Sequence, residues 1–139
     1  MTARPVEPVG FARDWLLVIP GVAEVVGDGV GPDLIGEDAQ LRLSSLGGTR
    51  PGDSSGESVP RLQVECWGPA GGSSVESWAA CSAIVAGVPA AAPWTRPRDG
   101  AHVSDAHVSA WPYEAVDRET GRHRWLLAVT MTLHPAAPA

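Results

Sequence analysis

Few residues of this chain have the types and spacing that chemistry requires. His102, Asp105 and His107 could bind a metal ion by residue type, and Asp105 and His107 would share one face of a strand. No glutamate accompanies them as a general base, and no second cluster completes a closed site. We interpret them as polar residues at the solvent-facing start of a strand and expect no metal ion. His123 and His134 are isolated in the sequence and should be exposed.

The segment 47–60 contains hydroxyls and carboxylates without a catalytic spacing. Its serines lack a Gly-x-Ser-x-Gly context and a suitably spaced base. Asp53 and Glu57 could be taken for paired catalytic carboxylates, but acid–base catalysis needs a rigid site that perturbs proton affinity. A solvated linker explains the composition better, so we expect no catalytic residue and no cofactor. The serines are Ser54, Ser55 and Ser58.

Residues 27–33 form the sharpest local motif, Gly-Asp-Gly-Val-Gly-Pro-Asp. It resembles the Gly-Asp-Gly-Ile-Gly-Pro-Glu loop of isocitrate and isopropylmalate dehydrogenases. The chain is too short for that two-part α/β fold, and no β-α-β pattern follows. No Lys-Ser or Lys-Thr follows either, so the motif is not a P-loop. We interpret it as a chance match in a loop.

Composition and charge favour an acidic globular domain. The chain has 139 residues, a net charge of −6 and ten basic residues, all arginine. Such a domain is a poor candidate for binding nucleic acid. It could still form an acidic surface past which DNA moves without sticking, because like charges repel.

Tryptophan and cysteine contribute two further indications. Six Trp against one Phe and one Tyr fit either an interaction surface or the codon bias of a GC-rich genome. Cys66 and Cys81 have no metal or Cys-x-x-Cys spacing, so we interpret them as buried small apolar residues. They could lie close together, and a disulfide between them is the less favoured alternative. No apolar run is long enough to span a membrane, and no secretion signal is recognisable.

The first half of the chain predicts a helix and two strands. Residues 11–19 place Phe11, Trp15 and Val18 on one side of a helix. Alternation predicts strands at 39–46 and 61–67. The Gly-, Ser- and Pro-rich segment 47–60 between them should be mobile in the free monomer and become ordered only against a partner.

Residues 73–88 form the best predicted helix. Ser73 and Glu76 are spaced as a capping box, and Gly87 and Pro89 end the helix. An apolar stripe is expected to face the core, so Trp78→Ala should be strongly destabilising. The stripe comprises Val75, Trp78, Ala79, Ser82, Val85 and Ala86.

The last third of the chain predicts a β-hairpin around a polar turn at 117–121. After the turn, every second residue is apolar, namely Trp125, Leu127, Val129, Met131 and Leu133. Pro112 removes a ladder donor from the preceding strand, which indicates an edge strand or a bulge. Trp111 and Tyr113 beside it share one face, which leaves two alternatives open: core packing or an exposed patch used in assembly.

Together these elements predict one α+β domain over residues 1–139, with a flexible loop at 47–60 and frayed termini. The order α-β-β-α-β-β predicts a four-stranded, mostly antiparallel sheet with helices on one face.

Four features carry a resemblance to the tail terminator proteins of long-tailed bacteriophages, also called minor tail or tail completion proteins. A short helix precedes the first strand. The strand at 60–68 leads into the Ala-rich helix 73–88. A Pro-rich link leads to a strand that ends in Asp-Arg-Glu-Thr-Gly at 117–121, and a final strand spans 124–133.

The resemblance implies a non-enzymatic virion protein that forms a hexameric ring. Such a ring caps the tail tube protein, ends its polymerisation and joins the tail to the neck protein, while DNA passes through the lumen without specific binding. The assembly contacts expected on this basis are Trp111, Tyr113, Asp53 and Glu57. Two alternatives remain: a head-side stopper or connector ring, and a small ligand-binding or enzymatic α+β domain.

Overall fold

The computed structural model describes residues 4–49 and 55–136. Its helices are α1 (Pro8–Leu16), α2 (Val22–Val26) and α3 (Ser74–Gly87), and a 3-10 turn (Val88–Ala90) follows α3. The strands are β1 (Val30–Gly31), β2 (Gln40–Thr49), β3 (Val59–Trp67), β4 (Trp94–Thr95), β5 (His102–Val116) and β6 (His123–His134).

One curled, six-stranded sheet organises the fold, with the strand order β1-β2-β3-β6-β5-β4. β1 is parallel to β2, and the other neighbouring pairs are antiparallel. The prediction of a four-stranded sheet is therefore wrong. β1 and β4 have two residues each, too few for alternation to reveal. They also lie in segments whose glycines and prolines predicted loops.

The helices pack on one face of this sheet, here called the inner face; the opposite face is the outer face. Phe11 and Trp15 of α1 are fully buried, and the Trp15 Nε1–H donates to the carbonyl of Ala91 at 3.0 Å. Val18 is exposed and Ile19 is buried in its place. The predicted spacing fails there because α1 ends at Leu16 and a turn follows.

α3 begins at the predicted residue, but its capping box is incomplete. The Ser73 hydroxyl accepts a hydrogen bond from the Val75 N–H at 3.2 Å, which makes Ser73 the N-cap. No reciprocal bond joins Glu76 to the Ser73 N–H, although both residues are described. The helix start therefore depends on the serine alone.

The predicted core stripe of α3 is wrong. Val75 is 68% exposed and Trp78 is 43% exposed. Trp78 instead lies against Trp125 of β6, with ring centroids 4.5 Å apart. Because α3 is apolar on almost every side, residue spacing could not identify its inner face. The buried positions are Ser77, Ala80, Cys81 and Ile84.

The predicted hairpin is present as β5 and β6. The Gly121 N–H donates to the Asp117 carbonyl at 2.7 Å, and Gly121 has a φ of 73°, a conformation that glycine adopts without strain. The Asp117 carboxylate accepts from the Thr120 N–H and hydroxyl at 3.1 and 2.6 Å. These bonds lower the pKa of Asp117.

The segment predicted as a loop at 47–60 contributes to the sheet at both ends. Residues 47–49 belong to β2 and residues 59–60 belong to β3. Asp53 lies outside the described residues, so its expected role in assembly stays a prediction. Within the described ranges, the helices are all too short or too polar to cross a membrane.

The turn before β5 is held by Arg96 and Asp99, which predicts a pH effect. Arg96 is buried, and its guanidinium donates two bonds to the Asp99 carboxylate, at 3.0 and 2.6 Å. The hydrogen bonds lower the pKa of Asp99. A folded-state pKa below the unfolded value of about 3.9 stabilises the fold above that pH. This contribution is lost as the pH falls through the folded-state pKa.

We expect Asp99→Asn to flatten the loss of stability of the chain below about pH 4. Urea unfolding of the wild type and the variant at a series of acidic pH values measures this. If the free energy of unfolding decreases with falling pH in the same way in both proteins, the Arg96–Asp99 pair does not stabilise the fold.

Candidate assembly surface

β5 has a long free edge on the flank of the sheet. β4 pairs only with His102 and Val103, and beyond Val103 the described residues provide no strand on that side of β5. Three register shifts against β6 make this strand irregular, one of them between Ala110 and Tyr113 around Pro112. The proline had indicated an edge strand or a bulge, and the structure has both. Along this free edge, backbone groups of β5 have no strand partner among the described residues.

The aromatic residues on this free edge are exposed. Trp111 is 75% exposed, Tyr113 59% and Val116 49%, whereas Pro112 between the two aromatic residues is buried. Core packing, one of the two alternatives for Trp111 and Tyr113, is therefore wrong. A neighbouring run of large exposed apolar side chains is typical of an interaction surface.

A shallow apolar groove continues from Tyr113 across the outer face of the sheet. It has a volume of about 190 Å³. Leu126 and Ala128 of β6 line it and are buried although no helix covers this face. The half-exposed Leu46 of β2 forms the opposite wall. The exposed aromatic strand thus adjoins a groove with an apolar floor, whose lining also includes Arg61 and Gln63.

A buried carboxylate stiffens the outer face beside this groove. Glu65 of β3 is 3% exposed and accepts hydrogen bonds from Arg42 and Arg124, each at 3.0 Å. Glu65 pairs with Leu126, and Leu126 pairs with Tyr113. Two arginines around one carboxylate leave this cluster with a net charge of +1.

Arg122, directly after the turn glycine, was missed by sequence reasoning. It is 5% exposed and donates to the carbonyls of Gly36, Asp38 and Gly68 at 2.9–3.1 Å. Its guanidinium also lies over the ring of Trp67, 5.4 Å from the centroid. These hydrogen bonds connect the hairpin turn to two segments that are distant in sequence, residues 36–38 and Gly68. No sequence signal indicated this role, because its main-chain carbonyl partners leave no residue-type pattern.

The histidines are arranged differently from the prediction. His134 is not isolated: its ring stacks on His102 at 4.5 Å, and its Nε2 lies 2.8 Å from the Ser104 hydroxyl. Glu57 lies 3.8 Å from His134 Nδ1. That distance exceeds a hydrogen bond, so Glu57 does not orient the imidazole as an acid in a catalytic triad would.

The suspected metal ligands do not converge. Asp105 and His107 are exposed on β5, whereas His102 stacks on His134. In the part of the chain that the structure describes, no three His, Cys, Asp or Glu side chains are placed to share a metal ion.

The expected assembly residues do not all lie together. Trp111 and Tyr113 are both exposed, near the hairpin end of β5. Glu57 contacts His134, which pairs with His102 at the other end of β5. Glu57 therefore belongs to a different end of the sheet from the aromatic pair. Ser55 and Ser58 flank it, and Ser58 pairs with Leu133.

Cys66 and Cys81 lie together in the core as free thiols. Burial, followed by hydrogen bonding to Cys81, raises the pKa of Cys66. An uncharged buried thiol is a poor nucleophile, so these residues act as small apolar side chains.

Two other cavities lie away from β5. One, of about 610 Å³, lies between the end of α1 and the end of α3, and no charged side chain lines it. The other, of about 400 Å³, lies beside the glycine-rich loop 27–33 and is lined by Asp28, Asp33, Asp38 and Arg13. The carbonyl of Gly29 accepts a hydrogen bond from the Leu41 N–H, so the loop serves the β1–β2 pairing.

No protein-family model matches the chain, and no curated protein is significantly similar to it.

Proposed function

We propose that this chain is a structural protein of a long-tailed bacteriophage that forms a ring at the head-proximal end of the tail. There it caps the tube, ends its polymerisation and joins it to the neck. The observation that carries the proposal is the free edge of β5 with Trp111 and Tyr113 exposed on it. Unpaired backbone groups and exposed aromatic side chains on one strand together favour a partner surface at this edge.

The resemblance to tail terminators supplies the particular assembly. The segments that carry it form β3, α3, β5 and β6 in that chain order. The acidic balance, with a net charge of −6, suits a ring whose lumen lets DNA pass, because phosphates are repelled and do not adhere. The partners are further copies of this chain, the tail tube protein and a neck protein.

Deletion of the protein during phage assembly tests the proposal. We expect filled heads and tails of uncontrolled length that fail to join, as seen by electron microscopy. Complementation with the wild type should restore particles, and complementation with the double variant Trp111→Ser, Tyr113→Ser should not. A matched control, Val75→Ser on the exposed side of α3, should restore them.

Two results would replace the proposal. Tails of normal length beside heads that leak DNA would make the protein a head-side stopper. Unaffected particles, together with binding or turnover of a small molecule in the 610 Å³ cavity, would make it a ligand-binding domain or an enzyme.

A further inference from the structure

The sheet has a second free edge, on the flank opposite β5. β1 pairs only with Leu41 and Arg42 of β2. From Leu43 to Thr49, no strand among the described residues pairs with the edge of β2 that points away from β3. Each copy therefore has one free edge on each flank, formed by residues 43–49 of β2 and by residues 104–116 of β5.

The two free edges lie level with each other along the strand direction. The strand registers connect them in rows that cross all four long strands. In these rows neither β1 nor β4 covers the end. One row is Ser44, Gln63, Ala128 and Ala110, and the next is Ser45, Leu62, Val129 and Val108. A neighbouring copy can add a strand at either end of these rows without displacing β1 or β4.

The strand directions suit an antiparallel contact between neighbours. β2 is antiparallel to β3, β3 to β6 and β6 to β5, so β2 and β5 run in opposite directions. A rotation about an axis along the strands preserves these directions from copy to copy. The β2 strand of one copy would then meet the β5 strand of the next as an antiparallel pair, and the repeated step forms a ring when the rotation between copies closes.

Charge disfavours pairing of two β5 edges. The free part of β2, residues 43–49, has no charged residue, because Arg42 lies where β1 pairs and its guanidinium binds Glu65. The free part of β5 has Asp105 and Glu114 besides His107. A β5–β5 contact would bring acidic residues together, whereas pairing of β5 with the uncharged edge of β2 avoids that repulsion.

We propose that residues 43–49 of one copy pair with the free edge of β5 in a second copy, head to tail. This inference rests on the proposed function, because it names the surface by which the ring closes. It assigns the partner of the exposed aromatic strand to another copy of this chain.

Crosslinking of mixed single-cysteine variants tests the pairing. Ser45→Cys lies on the free edge of β2, and Ser109→Cys lies on that of β5; both serines are exposed. The native cysteines are fully buried and do not react. We expect a short bismaleimide to link the two variants when they are mixed. Neither variant should link to itself, and Ser109→Cys should not link to Glu24→Cys on the exposed side of α2.

The outcomes separate the pairing from the proposed function. A ring in electron microscopy without the Ser45–Ser109 link would overturn the pairing and leave the function in place. Self-linking of Ser109→Cys would also overturn it, in favour of a two-fold contact. A chain that stays monomeric and does not bind tail tubes would overturn both.

Discussion

Replacing Trp15 with alanine should lower the free energy of unfolding by about 3–5 kcal/mol, the usual cost of truncating a fully buried tryptophan. Trp15 is completely buried under the sheet and its indole N–H bonds the Ala91 carbonyl. The substitution opens a cavity in the core and also leaves that carbonyl without a donor. Urea unfolding followed by circular dichroism measures the change.

Trp78→Ala is the matched control, since Trp78 is 43% exposed. Its loss should cost about 0.5–1.5 kcal/mol, the range for an aromatic pair such as its contact with Trp125. If Trp15→Ala does not fold, Trp15→Phe keeps most of the apolar contacts and removes only the indole N–H. Equal effects of Trp15→Ala and Trp78→Ala would contradict the observed placement of the helices.

Replacing Arg122 with methionine should destabilise the chain by about 2–3 kcal/mol, because hydrogen bonds from a charged donor to buried carbonyls are lost. The Gly68 carbonyl, which accepts two of the bonds, lies in a buried residue. The carbonyls of Gly36 and Asp38 belong to exposed residues, and water can replace the arginine there. Methionine keeps the apolar length of the side chain, so the change isolates the guanidinium.

Two further variants bracket the Arg122 effect. Arg118→Met, at an exposed arginine of the same turn, should change stability by less than about 0.5 kcal/mol. Arg122→Lys keeps the charge but loses the planar fork, and it should fall between wild type and Arg122→Met. Amide exchange of residues 36–38 should increase in Arg122→Met. A stability of Arg122→Met equal to that of Arg118→Met would show that the turn needs no such anchor.

The sequence by itself determined the elements whose signal is local. Alternation identified β6, because its core residues Leu127, Val129, Met131 and Leu133 recur at every second position. Leu126 and Ala128 of the other face are buried as well, which alternation alone did not predict. Ser73 marked the start of α3, because an N-cap acts on amides within the same turn. Pro112 marked an irregular edge strand, because proline lacks the donor that a central strand needs.

Only the tertiary structure decided which surfaces are covered. α3 is apolar on almost every side, so residue spacing does not identify its buried face. Packing against the sheet buries Ala80 and Ile84 and leaves Val75 and Trp78 exposed. β1 and β4 form because β2 and β5 provide backbone hydrogen-bond partners for them. A strand of two residues is too short to be recognised from its own sequence. Arg122 binds carbonyls from residues up to 86 positions away, and main-chain acceptors carry no residue-type signal. The free edges of β2 and β5 likewise depend on where their short neighbours end, a property of the assembled sheet that no single segment contains.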